Sequence, residues 1–386
     1  MTQIAVGVSD ELDPLVAFGE AAGAAKRSLA GPCDLCLVFV GAPHLAQAKS
    51  VLSMVHSELG PAKLIGCGAG GVVGAGREIE EGPGAVVWAA SLPGADVETH
   101  HLRIDQTTDG TVLSGLPEEG DLGDVMIVLA DPYTFITEAL LDAVDEAHPG
   151  MPVLGGLASA TAAGSAGLMR DGETLSDGAV VCSLKGVEVL PCVSQGAAPV
   201  GPEMTITAAE GNVIAELASE PAIERLREAI ASLGDDEQAL AAGGLLLGIV
   251  IDENQPEYTR GDFLVRPIIG ADPDAGTLAV GERVRVGQTV RMHVRDAAAA
   301  DRDLHEALAS GMEALGDGGV AGALLFTCNG RGSHMFELAD HDAGAVADVL
   351  RAPAGGFFCA GEIGPVGGRN FLHGFTATMA IFAADG

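Results

Sequence analysis

Leu64–Ile65–Gly66–Cys67–Gly68–Ala69–Gly70–Gly71 satisfies the spacing G-x-G-x-x-G directly after an apolar run. In a dinucleotide-binding fold that spacing turns a strand into a helix whose N-terminus holds a pyrophosphate. Here the continuation is Val72–Val73–Gly74–Ala75–Gly76, too glycine-interrupted to propagate a helix, so a phosphate would meet no helix dipole. The dinucleotide reading is set aside on that test. Similar runs recur at Val153–Leu154–Gly155–Gly156–Leu157–Ala158–Ser159 and Gly355–Gly356–Phe357–Phe358–Cys359–Ala360–Gly361. We read this echo as a sign of structurally related halves.

Around these segments, short strands and helical patterns alternate irregularly. Cys36–Val40 and Val125–Ala130 read as buried strands, and Asp131–Pro132 as an N-cap and N1 proline opening a helix that runs on through Ala139–Glu146. Ala179–Leu184 and Val187–Val193 form a meander with Gly- and Asp-rich turns, implying mixed pairing. After the Gly-, Ala- and Pro-rich stretch Gly196–Pro202, a helix is expected from Pro221 to Leu233. Strands are expected at Leu245–Ile251, Phe263–Ile269 and Val284–Val294, an Asp296-capped helix to about Leu315, and a further helix near Met335–Leu350. Neither half shows the regular βα alternation of a doubly wound sheet. The fold class is mixed α/β (α+β), two mixed-sheet domains with helices packed on the sheets, divided as 1–215 and 216–386.

A chain of 386 residues exceeds one ordinary core, and a 48% hydrophobic content is incompatible with disorder. Acidic residues number 54 against 20 basic ones, and the lysines are Lys26, Lys49, Lys63 and Lys185. So negative a field repels nucleic acid and anionic lipid. No signal segment and no apolar run of membrane-spanning length occurs, so a cytoplasmic location is expected. The 7 scattered cysteines do not read as a disulfide framework. Cys33–Asp34–Leu35–Cys36 has redox or half-zinc spacing but no second C-x-x-C, and reads as a buried thiol pair.

Chemistry-bearing residues gather near the C-terminus. Strand Ala323–Phe326 runs into Thr327–Cys328–Asn329–Gly330–Arg331–Gly332; Cys359–Ala360–Gly361–Glu362 and His373 follow. Cys328 or Cys359 could serve as a nucleophile activated by His373 or His334, but Gly356–Phe357–Phe358–Cys359–Ala360–Gly361 is one residue out of step with a nucleophile elbow. Asn329–Gly330 also suits a tight turn above a buried thiol. Arg331 could hold a carboxylate and Glu362 an ammonium, together a zwitterion; alternatively the two satisfy each other. The candidate ligand-binding set is Cys328, Asn329, Arg331, Gly332, Cys359, Gly361, Glu362 and His373, with no catalytic residue and no metal ligand.

These motifs, with Gly70–Gly71–Val72–Val73–Gly74, Glu78–Ile79–Glu80 and His293–Val294–Arg295–Asp296, resemble the FIST family over almost the whole chain. The resemblance implies a FIST N-terminal and a FIST C-terminal domain forming a non-enzymatic sensory module in signal transduction. Such a module would bind a small ligand such as an amino acid and, in a chain without an output segment, act through a separate partner protein. It also implies that haem is an alternative ligand, since some relatives are similar in fold yet bind it, with His373 or a cysteine as axial ligand. A cysteine-dependent hydrolase or transferase is the remaining alternative.

Overall fold

A computed structural model describes residues 1–107, 110–116, 122–160, 165–316 and 318–385. The protein is mixed α/β, with 7 helices and 26 strands among the described residues. It divides into two compact units, one comprising Met1–Val193, Leu304–Leu372 and Ala377–Gly386, the other Ser194–Asp303 and His373–Thr376.

The chain begins with β1 (Gln3–Ser9), α1 (Pro14–Ser28), β2 (Leu35–Gly41), α2 (Ala48–Leu59), β3 (Lys63–Ala69), the hairpin β4 (Val72–Gly74) and β5 (Arg77–Ile79), and β6 (Ala85–Ser91). Asp13 caps α1 by accepting from the Leu15 and Val16 amides, with Pro14 as first helical residue. Gly60, at φ +58°, ends α2. The order then repeats: β7 (Asp96–Thr107), β8 (Gly110–Ser114) in place of a helix, β9 (Val125–Ala130), α3 (Thr137–Ala147), β10 (Val153–Leu157), the hairpin β11 (Leu168–Arg170) and β12 (Glu173–Leu175), and β13 (Ala179–Lys185). A third round opens with β14 (Val189–Gln195), after which the chain forms the second unit. That unit contains β15 (Ala197–Glu210), β16 (Val213–Leu217), β17 (Glu220–Pro221), α4 (Ala222–Ser232), α5 (Asp235–Ala242), β18 (Leu245–Val250), β19 (Phe263–Asp272), β20 (Thr277–Val280) and β21 (Thr289–Arg295). The third round resumes with α6 (Ala297–Leu315), β22 (Val320–Cys328), α7 (His341–Leu350), β23 (Ala354–Cys359), the hairpin β24 (Glu362–Val366) and β25 (Arg369–His373), and β26 (Thr376–Ala383).

Pairing shows what the three rounds share. Each has a parallel pair (β2–β3, β9–β10, β22–β23) with an antiparallel strand (β6, β13, β26) on its first member. The outer side of the second member receives a hairpin from a different round: β11–β12 on β3, β24–β25 on β10, and β4–β5 on β23. The exchange is cyclic. Glycines mark equivalent places, because Gly66, Gly155 and Gly356 each face the incoming hairpin. The sequence echo is therefore the set of second parallel strands, and it has three members because the first unit has three such sheets.

Where these strands end, backbone bonds join the rounds. Ser159 N donates to Gly68 O and Ala360 N to Leu157 O. The third junction has a backbone bond, Phe358 N to Gly71 O at 3.0 Å, and a side-chain bridge as well: Gly70 N donates to Ser159 Oγ at 2.8 Å, and that hydroxyl donates to Phe358 O. Beneath lies a core drawn from all three sheets, in which Phe39 stacks on Phe357 at 4.9 Å and Trp88 lies 5.2 Å from Phe382. Trp88 Nε1 donates to Ala323 O at 3.0 Å, so its one polar atom is satisfied inside that core.

In the second unit an antiparallel sheet runs β15-β21-β18-β19-β20-β16-β17, and β15 also pairs with β16, so the sheet closes on itself. Closure removes edges that would otherwise invite further strands. His293 is fully buried there, its ring 4.9 Å from Phe263, and burial pulls its pKa down to about 4.

Three expectations need adjustment. The helix expected from Asp131 starts at Thr137, because Asp131 closes a turn instead, accepting from Tyr133 N on its side chain and Phe135 N on its carbonyl. The strand expected from Val284 starts at Thr289. The helix expected near Met335 starts at His341, preceded by a 3-10 turn at Gly332–His334. Asp296 does cap α6, accepting from Ala299 N at 3.1 Å.

Candidate functional site

β22 ends at Cys328, whose carbonyl accepts from Arg331 N at 2.9 Å, closing a turn over Asn329–Gly330. Asn329 N donates to Cys359 O at 2.9 Å, and Cys328 is the register partner of Cys359 on β23. The two cysteines thus lie side by side at the carboxyl ends of a parallel pair. Asn329 and Ala360 are exposed above them.

The turn delivers Arg331 into the interior, where it is 0% exposed. Its guanidinium fork is taken by Asp342, the second residue of α7: Nε to Oδ2 at 2.7 Å and Nη2 to Oδ1 at 2.8 Å. Thr327 Oγ1 donates to Asp342 Oδ2 at 2.6 Å, and His341 Nδ1 lies 2.9 Å from Oδ1. Phe336 stacks on His341 at 3.4 Å and carries the guanidinium 5.1 Å from its ring centre. Burial pushes Asp342 up, but Arg331, His341 and Thr327 outweigh it and hold the carboxyl well below the usual range. Burial likewise opposes the charge on Arg331, and Asp342, Cys328 and Glu362 more than offset this. One donor remains: Arg331 Nη1 is buried and meets no acceptor.

Glu362, the first residue of β24, is fully buried and close enough to act on both Arg331 and Cys359. Its neighbour Gly361 accepts from Leu157 N at 2.8 Å. On the neighbouring sheet, a side chain at Gly156 would strike Cys359 Sγ, so the glycine of that echo segment is a requirement of close approach.

Two carboxylates that the sequence reading did not place in the site complete it. Glu80 accepts from Ser333 N at 2.8 Å and from Ser333 Oγ at 2.5 Å. Gly332, at φ +60°, makes room for it, since a Cβ there would lie 2.7 Å from the Glu80 carboxyl carbon. Glu78 Oε1 accepts from Ala343 N at 2.9 Å in the first turn of α7, and Glu78 N donates to Asp340 Oδ1 at 2.6 Å. Burial, together with Asp342 and Glu80, raises the Glu78 carboxyl to about 7, against the lowering effect of the Ala343 bond. Only the motif Glu78–Ile79–Glu80 hinted at these residues, because their partners lie over 250 positions away.

All 7 cysteines are buried thiols outside any disulfide. Burial pushes the Cys67, Cys182 and Cys359 thiols up, and Cys36 rises through burial first and then through its hydrogen-bonding and charge interaction with Cys33. None of these is an activated thiolate. Among the described residues no group of 3 or more His, Cys, Asp or Glu could hold a metal ion. No helix of the described residues is long and apolar enough to cross a membrane.

The structure therefore brings Cys328, Asn329, Arg331, Gly332, Cys359, Gly361 and Glu362 together in the first unit. His373 belongs to the second, where it is buried.

Residues 34–220 match the FIST N domain and residues 222–365 the FIST C domain, so the chain belongs to the FIST family, whose domains suggest a sensory, ligand-binding module. It is similar to an uncharacterized protein of Mycobacterium tuberculosis strain H37Rv, 44% identical over 383 residues, which span 98% of this chain and 99% of the other. An uncharacterized protein of Mycobacterium bovis is 43% identical over 386 residues, 99% of each.

Proposed function

We propose that the protein senses an amino-acid-like metabolite at Arg331 and Glu362 and passes the signal to a separate partner protein. The observation that carries this is Arg331 Nη1, a buried cationic donor with no acceptor, which nearly all buried donors possess. Asp342 occupies the fork, so the ligand's carboxylate contributes one oxygen to Nη1 rather than a bidentate pair. The ligand's ammonium lies toward Glu362. The carboxyl ends of parallel strands, where these residues sit, are the usual place for ligands in sheets of this kind. The raised thiols support a binding role rather than a nucleophilic one, and the reading requires neither cofactor nor metal.

Thermal-shift titration with the amino acids and their decarboxylated and deaminated analogues tests it. A true ligand at a hundred times its Kd stabilises by about 2.7 kcal/mol. Glu362→Gln keeps the shape and removes the charge, and should weaken a found amino acid about tenfold. An unshifted protein across the panel, or an equal shift in Glu362→Gln, would end the proposal.

A further inference from the structure

The cyclic exchange allows one round of the first unit to be compared with another. β5 lies against α7 as β12 lies against α2. Val73, opposite Gly356, pairs with Glu78 in one hairpin; Met169, opposite Gly66, pairs with Thr174 in the other. Thr174 therefore stands where Glu78 stands, and Ser176 where Glu80 stands. Both long carboxylates are replaced by short hydroxyls.

The space they leave is open. A cavity of about 320 Å³ is lined by Lys49, Ser165, Thr174 and Ser176, among others. The charge beside it is reversed as well, since Lys49 is the second residue of α2 just as Asp342 is of α7. At the filled place, the carboxylates of Glu78 and Glu80 bond to Ala343 N and to Ser333 N and Oγ. The protein thus contains, in its own third round, an occupied version of the cavity.

We infer that the cavity between α2 and β12 binds a small oxyanion, a carboxylate or phosphate group, that occupies the place Glu78 and Glu80 fill in the equivalent round. Lys49 supplies the cation and the hydroxyls of Ser165, Thr174 and Ser176 the hydrogen bonds. With 54 acidic residues against 20 basic ones, the surrounding field opposes anions, so the site depends on this local reversal.

The test is calorimetric titration of the full chain with sodium succinate and, separately, sodium phosphate, at ionic strength fixed with chloride. At least one should bind saturably at millimolar concentration, and which one does so names the group. Lys49→Met should weaken that binding about tenfold. Thr174→Glu, which restores the intramolecular carboxylate, should abolish it while leaving the chain folded by circular dichroism. Saturation by neither probe, or binding unchanged in both variants, overturns the inference.

Discussion

Glu78→Gln offers the sharpest test of how β5 holds α7. In the folded protein the Glu78 carboxyl is lifted from an ordinary value of 4.5 to about 7, first by burial and then by Asp342 and Glu80. Its Oε1 is bonded to Ala343 N while Oε2 is buried without a partner. An acid whose folded pKa is raised favours folding in its protonated form. Its contribution is fully present below the unfolded value and is lost as pH climbs through the folded one. Here the window is from about 4.5 to about 7, and at about 1.4 kcal/mol per tenfold the penalty above it is roughly 3 kcal/mol, reduced by partial exposure to about 2 kcal/mol. Glutamine preserves the acceptor for Ala343 N and never ionises. Urea unfolding followed by Trp88, the 1 tryptophan of the chain and buried in the first unit, gives the readout. At pH 5 the variant should match the wild type or fall slightly below it, and at pH 8 it should exceed it by about 2 kcal/mol. If the two proteins lose stability in parallel between pH 5 and pH 8, the buried carboxyl is not what the geometry makes it.

Ser159→Ala should destabilise the first unit by about 1–3 kcal/mol, since it strands Gly70 N and Phe358 O at the junction the hydroxyl bridges; an unchanged urea midpoint would show that the backbone bond from Phe358 N to Gly71 O holds the junction without it. Brief iodoacetamide treatment at neutral pH should leave all 7 buried cysteines unmodified, with labelling appearing only in denaturant. Rapid stoichiometric labelling of Cys328 or Cys359 in the folded protein would return the enzyme reading to the front.

Much of this was legible in the sequence, for local reasons. Cys328–Asn329–Gly330–Arg331 is a short-range turn, and its chemistry is carried by adjacent residues. Asp296 capped the helix it was expected to cap, because that bond spans 3 positions. Asp131–Pro132 misled, since an Asx turn and an N-cap share the same residue types. Asp342 was missed as the partner of Arg331 because the pairing depends on where α7 begins, and Glu362 offered an opposite charge in a more conspicuous motif. The glycine echo was visible, but its number was not interpretable without the pairing. A hairpin that leaves its own round to complete another sheet leaves no periodic signature in the sequence.

That exchange also bears on how the chain is made. β10 receives its outer neighbour only from β24, about 200 residues further on, and β4–β5 must wait for β23. During synthesis the early strands therefore emerge with apolar edges uncovered, and neither of the first two rounds can be finished until a later one is made. Such a nascent chain is exposed to edge-to-edge association until its last strands arrive, which makes chaperone shielding and slow, late closure the natural demands of this architecture.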